Sequence, residues 1–124
     1  MNLSTARVFV KDQAGAHSFY GKTLGLPVQA GGPEAGYSVF SAGNCQLVVE
    51  AVPDDAPNEE KVLVGRFTGL SFTVPDIEAQ YRELSSKGVK FTGQPERQFW
   101  GGTLATFRDP AGNELQLVQH ASAA

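Results

Sequence analysis

ARVFVKD, at residues 6–12, has a counterpart in LSFTVPD, at residues 70–76. In both segments apolar residues alternate with others at a period of two, as a strand with one buried face requires. In both, an aspartate follows two residues after the last valine, where its carboxylate can accept hydrogen bonds from the first turn of a helix. Each segment therefore predicts a strand that runs into a capped helix, and the chain contains this unit twice.

The two halves also continue and close in the same way. Helices are predicted over residues 14–24 and 77–87, and each ends at a glycine, Gly25 or Gly88. Strand-forming segments follow, and each half closes with a turn and a strand that contains a glutamine, Gln46 or Gln116. We therefore predict one domain over residues 1–124, with a first module at about 4–51, a linker at about 52–64 and a second module at about 65–120.

Length, charge and cysteine content exclude several classes of protein. A chain of 124 residues has room for one core. Its net charge of -3 and scattered basic residues do not form the basic face that nucleic acid requires. Its single cysteine excludes an internal disulfide, and no apolar run indicates a signal peptide or a membrane span. We expect a cytoplasmic protein with neither nucleic acid nor membrane as a partner.

Two further motifs carry a family resemblance. They are FYGKTLGL at residues 19–26 and DPAGNELQL at residues 109–117, in that order within the doubled module. With them the chain resembles the vicinal oxygen chelate superfamily, which includes glyoxalase I, bleomycin resistance proteins, extradiol dioxygenases and fosfomycin resistance enzymes. The resemblance implies an α+β fold in which two βαβββ modules form a curved eight-stranded cup, with the helices outside and a ligand inside.

Alternation assigns a face to each strand residue without reference to any family. Small apolar residues such as Val8, Val10 and Val49 suit the side that packs beneath a helix. The opposite side is mixed in character and suits a ligand site. It contains Thr5, Arg7, Phe9, Gln46, Val48 and Glu50 in the first module, and Gly69, Ser71, Thr73, Glu114, Gln116, Val118 and His120 in the second.

The residues at the implied metal positions are poor ligands. In the metal-binding members of the superfamily, the positions equivalent to Thr5, Gln46, Gly69 and Gln116 hold the metal. A glycine offers no side chain, and a threonine with two neutral amides is a weak set of donors for zinc, nickel or iron. Neither His17 nor His120 completes a cluster with ligand spacing. We therefore predict no metal and no other cofactor.

The candidate ligand-binding residues are polar or aromatic side chains of the mixed faces, together with Tyr37 and Trp100, aromatic residues that could form a wall of the ligand site. They are Thr5, Arg7, Phe9, Tyr37, Gln46, Trp100 and Gln116. Arg7 either forms an ion pair with Glu50 or holds a ligand carboxylate or phosphate. Trp100 lies in a glycine-rich loop between strands, where an aromatic residue is explained by ligand binding more readily than by core packing.

Two functions remain open at this point. The first is a metal-independent protein that binds a small organic ligand and sequesters it, in the manner of bleomycin resistance proteins. The alternative is a glyoxalase-like lyase or isomerase of the lactoylglutathione lyase type, or another enzyme of the superfamily with a non-standard site, in which Glu50 or Glu114 acts as the base. In either case the open sheet edges, together with the resemblance, predict a symmetric homodimer.

Overall fold

The computed structural model describes residues 1–121, so the last three residues of the predicted domain lie outside the described chain. The first half contains a strand, a helix and three more strands. Their bounds are β1 (Thr5–Val10), α1 (Gln13–Ser18) continued by a π-helical segment (Phe19–Thr23), β2 (Val28–Gly31), β3 (Tyr37–Ala42) and β4 (Cys45–Ala51). The short helix α2 (Asn58–Lys61) follows.

The second half repeats the order with one additional strand. Its elements are β5 (Phe67–Thr73), α3 (Ile77–Ser86), β6 (Lys90–Phe91), β7 (Glu96–Arg97), β8 (Thr103–Arg108) and β9 (Glu114–Gln119). The prediction of two βαβββ modules is confirmed. The described residues form nine strands rather than eight, because β6 and β7 pair with β8 as two separate short strands. Pro95 stands directly before β7, and it has no backbone N–H with which to extend a ladder.

The chain divides into two units, each built on one sheet. The first unit comprises Met1–Arg66 and Pro110–Asn113, and the second comprises the rest of the described chain. The sheet of the first unit has the strand order β1-β4-β3-β2, and that of the second has the order β5-β9-β8-β6 with β7 also on β8. In each sheet the first and last long strands of the module pair in parallel, and the other pairs are antiparallel.

Both predicted helix caps are present. The Asp12 side chain accepts a hydrogen bond from the Gly15 N–H, and that of Asp76 accepts one from the Ala79 N–H, each at 3.1 Å. Gly25 and Gly88 follow the helical segments with φ of 78° and 91°, which a residue with a Cβ rarely adopts. The first helix differs from its prediction because it widens into a π-turn, in which the Leu24 N–H donates to the Phe19 carbonyl.

Each sheet buries the side that was predicted to lie beneath a helix. In the first unit, α1 packs against β4, and Val10, Tyr20, Phe40 and Val49 have no exposed surface. In the second, α3 packs against β8 and β9, over a core that includes Phe107 and Leu115. The segment predicted as a linker, at about 52–64, contains α2 and buries Val52 and Ala56. No helix within residues 1–121 is long and apolar enough to cross a membrane.

Candidate functional site

The predicted ligand residues of the first unit lie together on one face of its sheet. This face, called here the open face, is formed by the strand residues that point away from the buried side. It comprises Thr5, Arg7, Phe9, Tyr37, Val39, Ser41, Gln46, Val48 and Glu50, all of them exposed or half-buried. The alternation in the sequence therefore predicted the correct side for each candidate in β1 and β4.

Strand register places two aromatic residues on either side of one carboxylate. Glu50 of β4 is opposite Phe9 of β1 and opposite Tyr37 of β3. Because neighbouring strands lie about 4.8 Å apart, the Cα atoms of Phe9 and Tyr37 are separated by roughly 10 Å. Tyr37 is 42% exposed and Phe9 is half-buried. The two rings thus flank a polar centre that remains accessible.

That polar centre is an ion pair. Arg7 Nη2 donates to Glu50 Oε1 at 2.6 Å, and the guanidinium carbon lies 5.3 Å from the centroid of the Phe9 ring. The side chains are 54% and 38% exposed, so the pair is open to solvent and its net contribution to stability is small. The ion-pair interpretation of Arg7 is therefore correct. Its exposure also leaves guanidinium donors within reach of a ligand, so the second interpretation remains a prediction.

Gln46 and Thr5 lie at the other end of the open face. They are direct partners across β1 and β4. The amide nitrogen of Gln46 donates to Gln29 Oε1 of β2 at 2.8 Å. Sequence reasoning missed Gln29, because the β2–β3 register is shifted between Val28 and Ala30 and alternation cannot assign its side. A hydroxyl and two linked amides offer a ligand neutral hydrogen-bonding groups.

The candidates of the second unit form a separate polar row. Glu114 accepts hydrogen bonds from Arg108 at 3.0 Å, and Gln116 donates to the Thr106 hydroxyl at 3.1 Å. The residue opposite Gln116 is Ser71, which was predicted to lie on the mixed face together with Gly69. The pairing of β5 with β9 is irregular between Phe67 and Ser71, where Gly69 has a φ of 74°.

The residues at the implied metal positions do not fit a metal ion. In the first unit the pair consists of the Thr5 hydroxyl and the Gln46 amide, whose nitrogen already donates a hydrogen bond to Gln29. In the second unit the pair consists of Gln116, whose amide donates a hydrogen bond to Thr106, and Gly69, which has no side chain. Across residues 1–121, no three His, Cys, Asp or Glu side chains come together as a metal site would require. His17 is instead bonded to the Ser38 hydroxyl at 2.7 Å.

Trp100 lies in the turn between β7 and β8, as the glycine-rich sequence predicts. Its side chain is 44% exposed, and its ring centroid is 6.3 Å from that of His120. The indole lies over Gly102 so closely that a Cβ at that position would overlap it. The preceding Phe99 is 99% exposed. Trp100 is therefore accessible, and its ring packs against Gly102 and near His120, just after β9.

Comparison with known proteins agrees with the superfamily resemblance of the sequence. The family model described as the Glyoxalase/Bleomycin resistance protein/Dioxygenase superfamily matches residues 2–117. The chain is 32% identical to the protein YraH of Bacillus subtilis, over 96% of this chain and 98% of that protein. A solved structure described as a member of the same superfamily, from Sphaerobacter thermophilus, is 29% identical with a TM-score of 0.79, covering 97% of this chain and 98% of that one.

A second solved structure is described by the ligand class it binds. It is TnmS3, an antibiotic binding protein from Streptomyces, which is 28% identical to this chain. The match covers 98% of this chain and 97% of that chain, with a TM-score of 0.76. The similarity therefore extends over the whole fold rather than a single motif.

Proposed function

Because the chain belongs to the Glyoxalase/Bleomycin resistance protein/Dioxygenase superfamily, we propose that it binds a small organic molecule without a metal ion and acts by sequestering it. The observation that carries the proposal is the arrangement on the open face, where Phe9 and Tyr37 flank the exposed Arg7–Glu50 ion pair. Aromatic walls with a few placed polar groups are typical of small-molecule sites. Sequestration needs only such binding.

Each part of the open face has a role in this proposal. Phe9 and Tyr37 contact the apolar or aromatic surface of the ligand, where ring contacts contribute about 0.5–1.5 kcal/mol beyond the burial of area. Arg7 donates to a carboxylate or phosphate of the ligand through its planar fork. Thr5 and Gln46 supply neutral hydrogen bonds. The similarity to TnmS3, an antibiotic binding protein, supports an antibiotic-like organic ligand.

The test is a calorimetric titration with bleomycin and with a set of aromatic antibiotics. We expect at least one to bind, and we expect Phe9→Ala and Tyr37→Ala each to weaken it by about tenfold or more, because area and ring contacts are lost together. Val62→Ala, at an exposed apolar position of the same unit outside the sheet, is the matched control. If no compound of the set binds, or if all three variants bind alike, the proposal is wrong.

The Arg7→Ala variant tests the hydrogen bonds of Arg7 to the ligand separately from the aromatic contacts of Phe9 and Tyr37. It should weaken anionic ligands and leave neutral ones unchanged, because only the charge-assisted bonds are lost. Gln116 and Trp100 of the second unit remain predicted contact residues, and alanine variants test each of them separately.

The alternative function is that of a lyase or isomerase with Glu50 or Glu114 as base. Both carboxylates accept hydrogen bonds from an arginine, Arg7 or Arg108, and a base must also reach the proton it removes. Because both carboxylates are already engaged by an arginine, their arrangement fits sequestration better than it fits general-base catalysis. Incubation with glutathione and methylglyoxal, with and without a chelator, distinguishes the two functions. If the protein turns over this substrate, and the turnover is lost in Glu50→Gln or Glu114→Gln, then the protein is an enzyme and the sequestration proposal is wrong.

The proposal includes a symmetric homodimer and a cytoplasmic location. The dimer is supported by the edge strand β2, whose four residues are all exposed at one end of the first sheet. The net charge of -3 supports the absence of nucleic acid from the partners. Fractionation of cells that produce the tagged chain would test the location.

A further inference from the structure

A second concave site lies entirely in the second unit. It is a pocket of about 370 Å³, lined by Arg97, Gly101, Thr103, Gln119, His120 and Ala121. Strand pairing builds it, since Thr103 of β8 is opposite both Arg97 of β7 and Gln119 of β9. Three polar side chains therefore stand side by side on neighbouring strands, on the side of the sheet that carries α3.

Each polar side chain at this pocket can donate a hydrogen bond. The Gln119 Oε1 atom accepts from the Ile77 N–H at 2.8 Å, at the start of α3, which leaves the amide nitrogen as the remaining hydrogen-bonding group of that side chain. The guanidinium of Arg97 carries five N–H donors, and the Thr103 hydroxyl and His120 ring add others. Among residues 1–121, no carboxylate lies within ion-pair distance of Arg97.

The neighbouring acids do not neutralise the pocket. None of its six lining residues is acidic. Glu96 precedes Arg97 in β7, but it is opposite Leu104 and alternation directs it to the other side of the sheet. Asp76, next to Ile77, accepts from the Ala79 N–H as the cap of α3. Within residues 1–121, the pocket is therefore lined by groups that can donate hydrogen bonds, and its positive charge has no counter-ion.

We infer that this pocket binds the anionic group of a small molecule, a carboxylate or a phosphate. Both groups present oxygens in a geometry that the arginine fork matches with two parallel hydrogen bonds. The Thr103 hydroxyl and the Gln119 amide nitrogen serve the remaining oxygens. This inference goes beyond the proposed function, because it uses no residue of the open face and holds whether or not that face binds a ligand.

Two side chains report on the pocket. Trp100 is the single tryptophan of the chain, and its ring centroid lies 6.3 Å from that of His120. The tryptophan fluorescence therefore reports changes beside the pocket alone. The chain has two histidines, and His17 lies in the first unit with a hydrogen bond to Ser38. In a proton–carbon NMR spectrum the His120 ring signal reports the pocket, and the His17 signal is an internal control.

The experiment titrates the protein with inorganic phosphate and, separately, with sodium acetate at constant ionic strength and pH 7. We expect a saturable change in Trp100 emission and in the His120 signal with at least one anion, with His17 unmoved. Arg97→Gln should raise the dissociation constant by more than tenfold, and Arg97→Lys, which keeps the charge without the fork, by less. Arg82→Gln, an exposed arginine on α3 outside the pocket, should leave it unchanged.

The two anions distinguish the possible ligands. A saturable response to phosphate alone identifies a phosphate site, and one to acetate alone identifies a carboxylate site. The inference is overturned if neither anion gives a response beyond that of sodium chloride, or if Arg97→Gln and Arg82→Gln affect the response equally. Circular dichroism of each variant establishes that the fold is retained.

Discussion

Asn113 is predicted to be one of the most sensitive positions of the first unit. Its side chain is 1% exposed and bonds two distant segments. The Oδ1 atom accepts from the Gly65 and Arg66 N–H groups at 2.8 and 3.3 Å, and the Nδ2 atom donates to the Phe9 carbonyl of β1 at 2.8 Å. The segment before Gly65 also runs beside β1, through a bridge between Phe9 and Val64.

The cost of removing this side chain follows from those three bonds. At roughly 1 kcal/mol for each hydrogen bond, Asn113→Ala should lower the free energy of unfolding by about 3 kcal/mol. Asn113→Asp should also destabilise the protein, because it keeps an acceptor for Gly65 but sets a carboxylate oxygen against the Phe9 carbonyl. Asn44→Ala, at an exposed turn position, is the matched control and should change stability by less than about 0.5 kcal/mol.

Urea denaturation followed by far-ultraviolet circular dichroism measures these differences. With a slope of about 1.5 kcal/mol per molar urea, a loss of 3 kcal/mol lowers the midpoint by roughly 2 M. If the midpoints of Asn113→Ala and Asn44→Ala fall by the same small amount, the bonds of Asn113 do not hold the first unit together and the reasoning is wrong.

Three further predictions follow from the structure. Gly102→Ala should displace the Trp100 ring and shift its emission to longer wavelength, whereas Gly93→Ala, where an added Cβ meets no atom within 4 Å, should leave the spectrum unchanged; identical spectra for both variants would contradict the packing of Trp100. Elemental analysis of the purified protein should find no stoichiometric zinc, nickel, manganese or iron, and one metal per chain whose removal abolishes ligand binding would refute this. Sedimentation at tens of micromolar should give about twice the 13.2 kDa of one chain, and a 13.2 kDa particle would exclude the homodimer.

Long-range pairing limited what could be predicted of the candidate site. The sequence placed Arg7 and Glu50 on one face, but only the parallel register of β1 and β4 shows that Arg7 reaches a carboxylate two residues beyond its direct partner, Val48. The pocket at Arg97 was not foreseen, because it depends on β7, a two-residue strand without a periodic pattern. The irregular pairing near Gly69, which sets Ser71 opposite Gln116, also leaves no signal in the alternation of β5.

The sequence by itself determined the doubled βαβββ order, the capping aspartates Asp12 and Asp76, and the buried side of each long strand. These features are local, because strand periodicity and helix capping depend on residues within a few positions of one another. The tertiary structure alone decided the strand registers, the pocket at Arg97 and the partners of Asn113, which lies 104 residues from Phe9 in the chain. Such contacts depend on how loops close and sheets align, and no local pattern of side chains encodes that geometry.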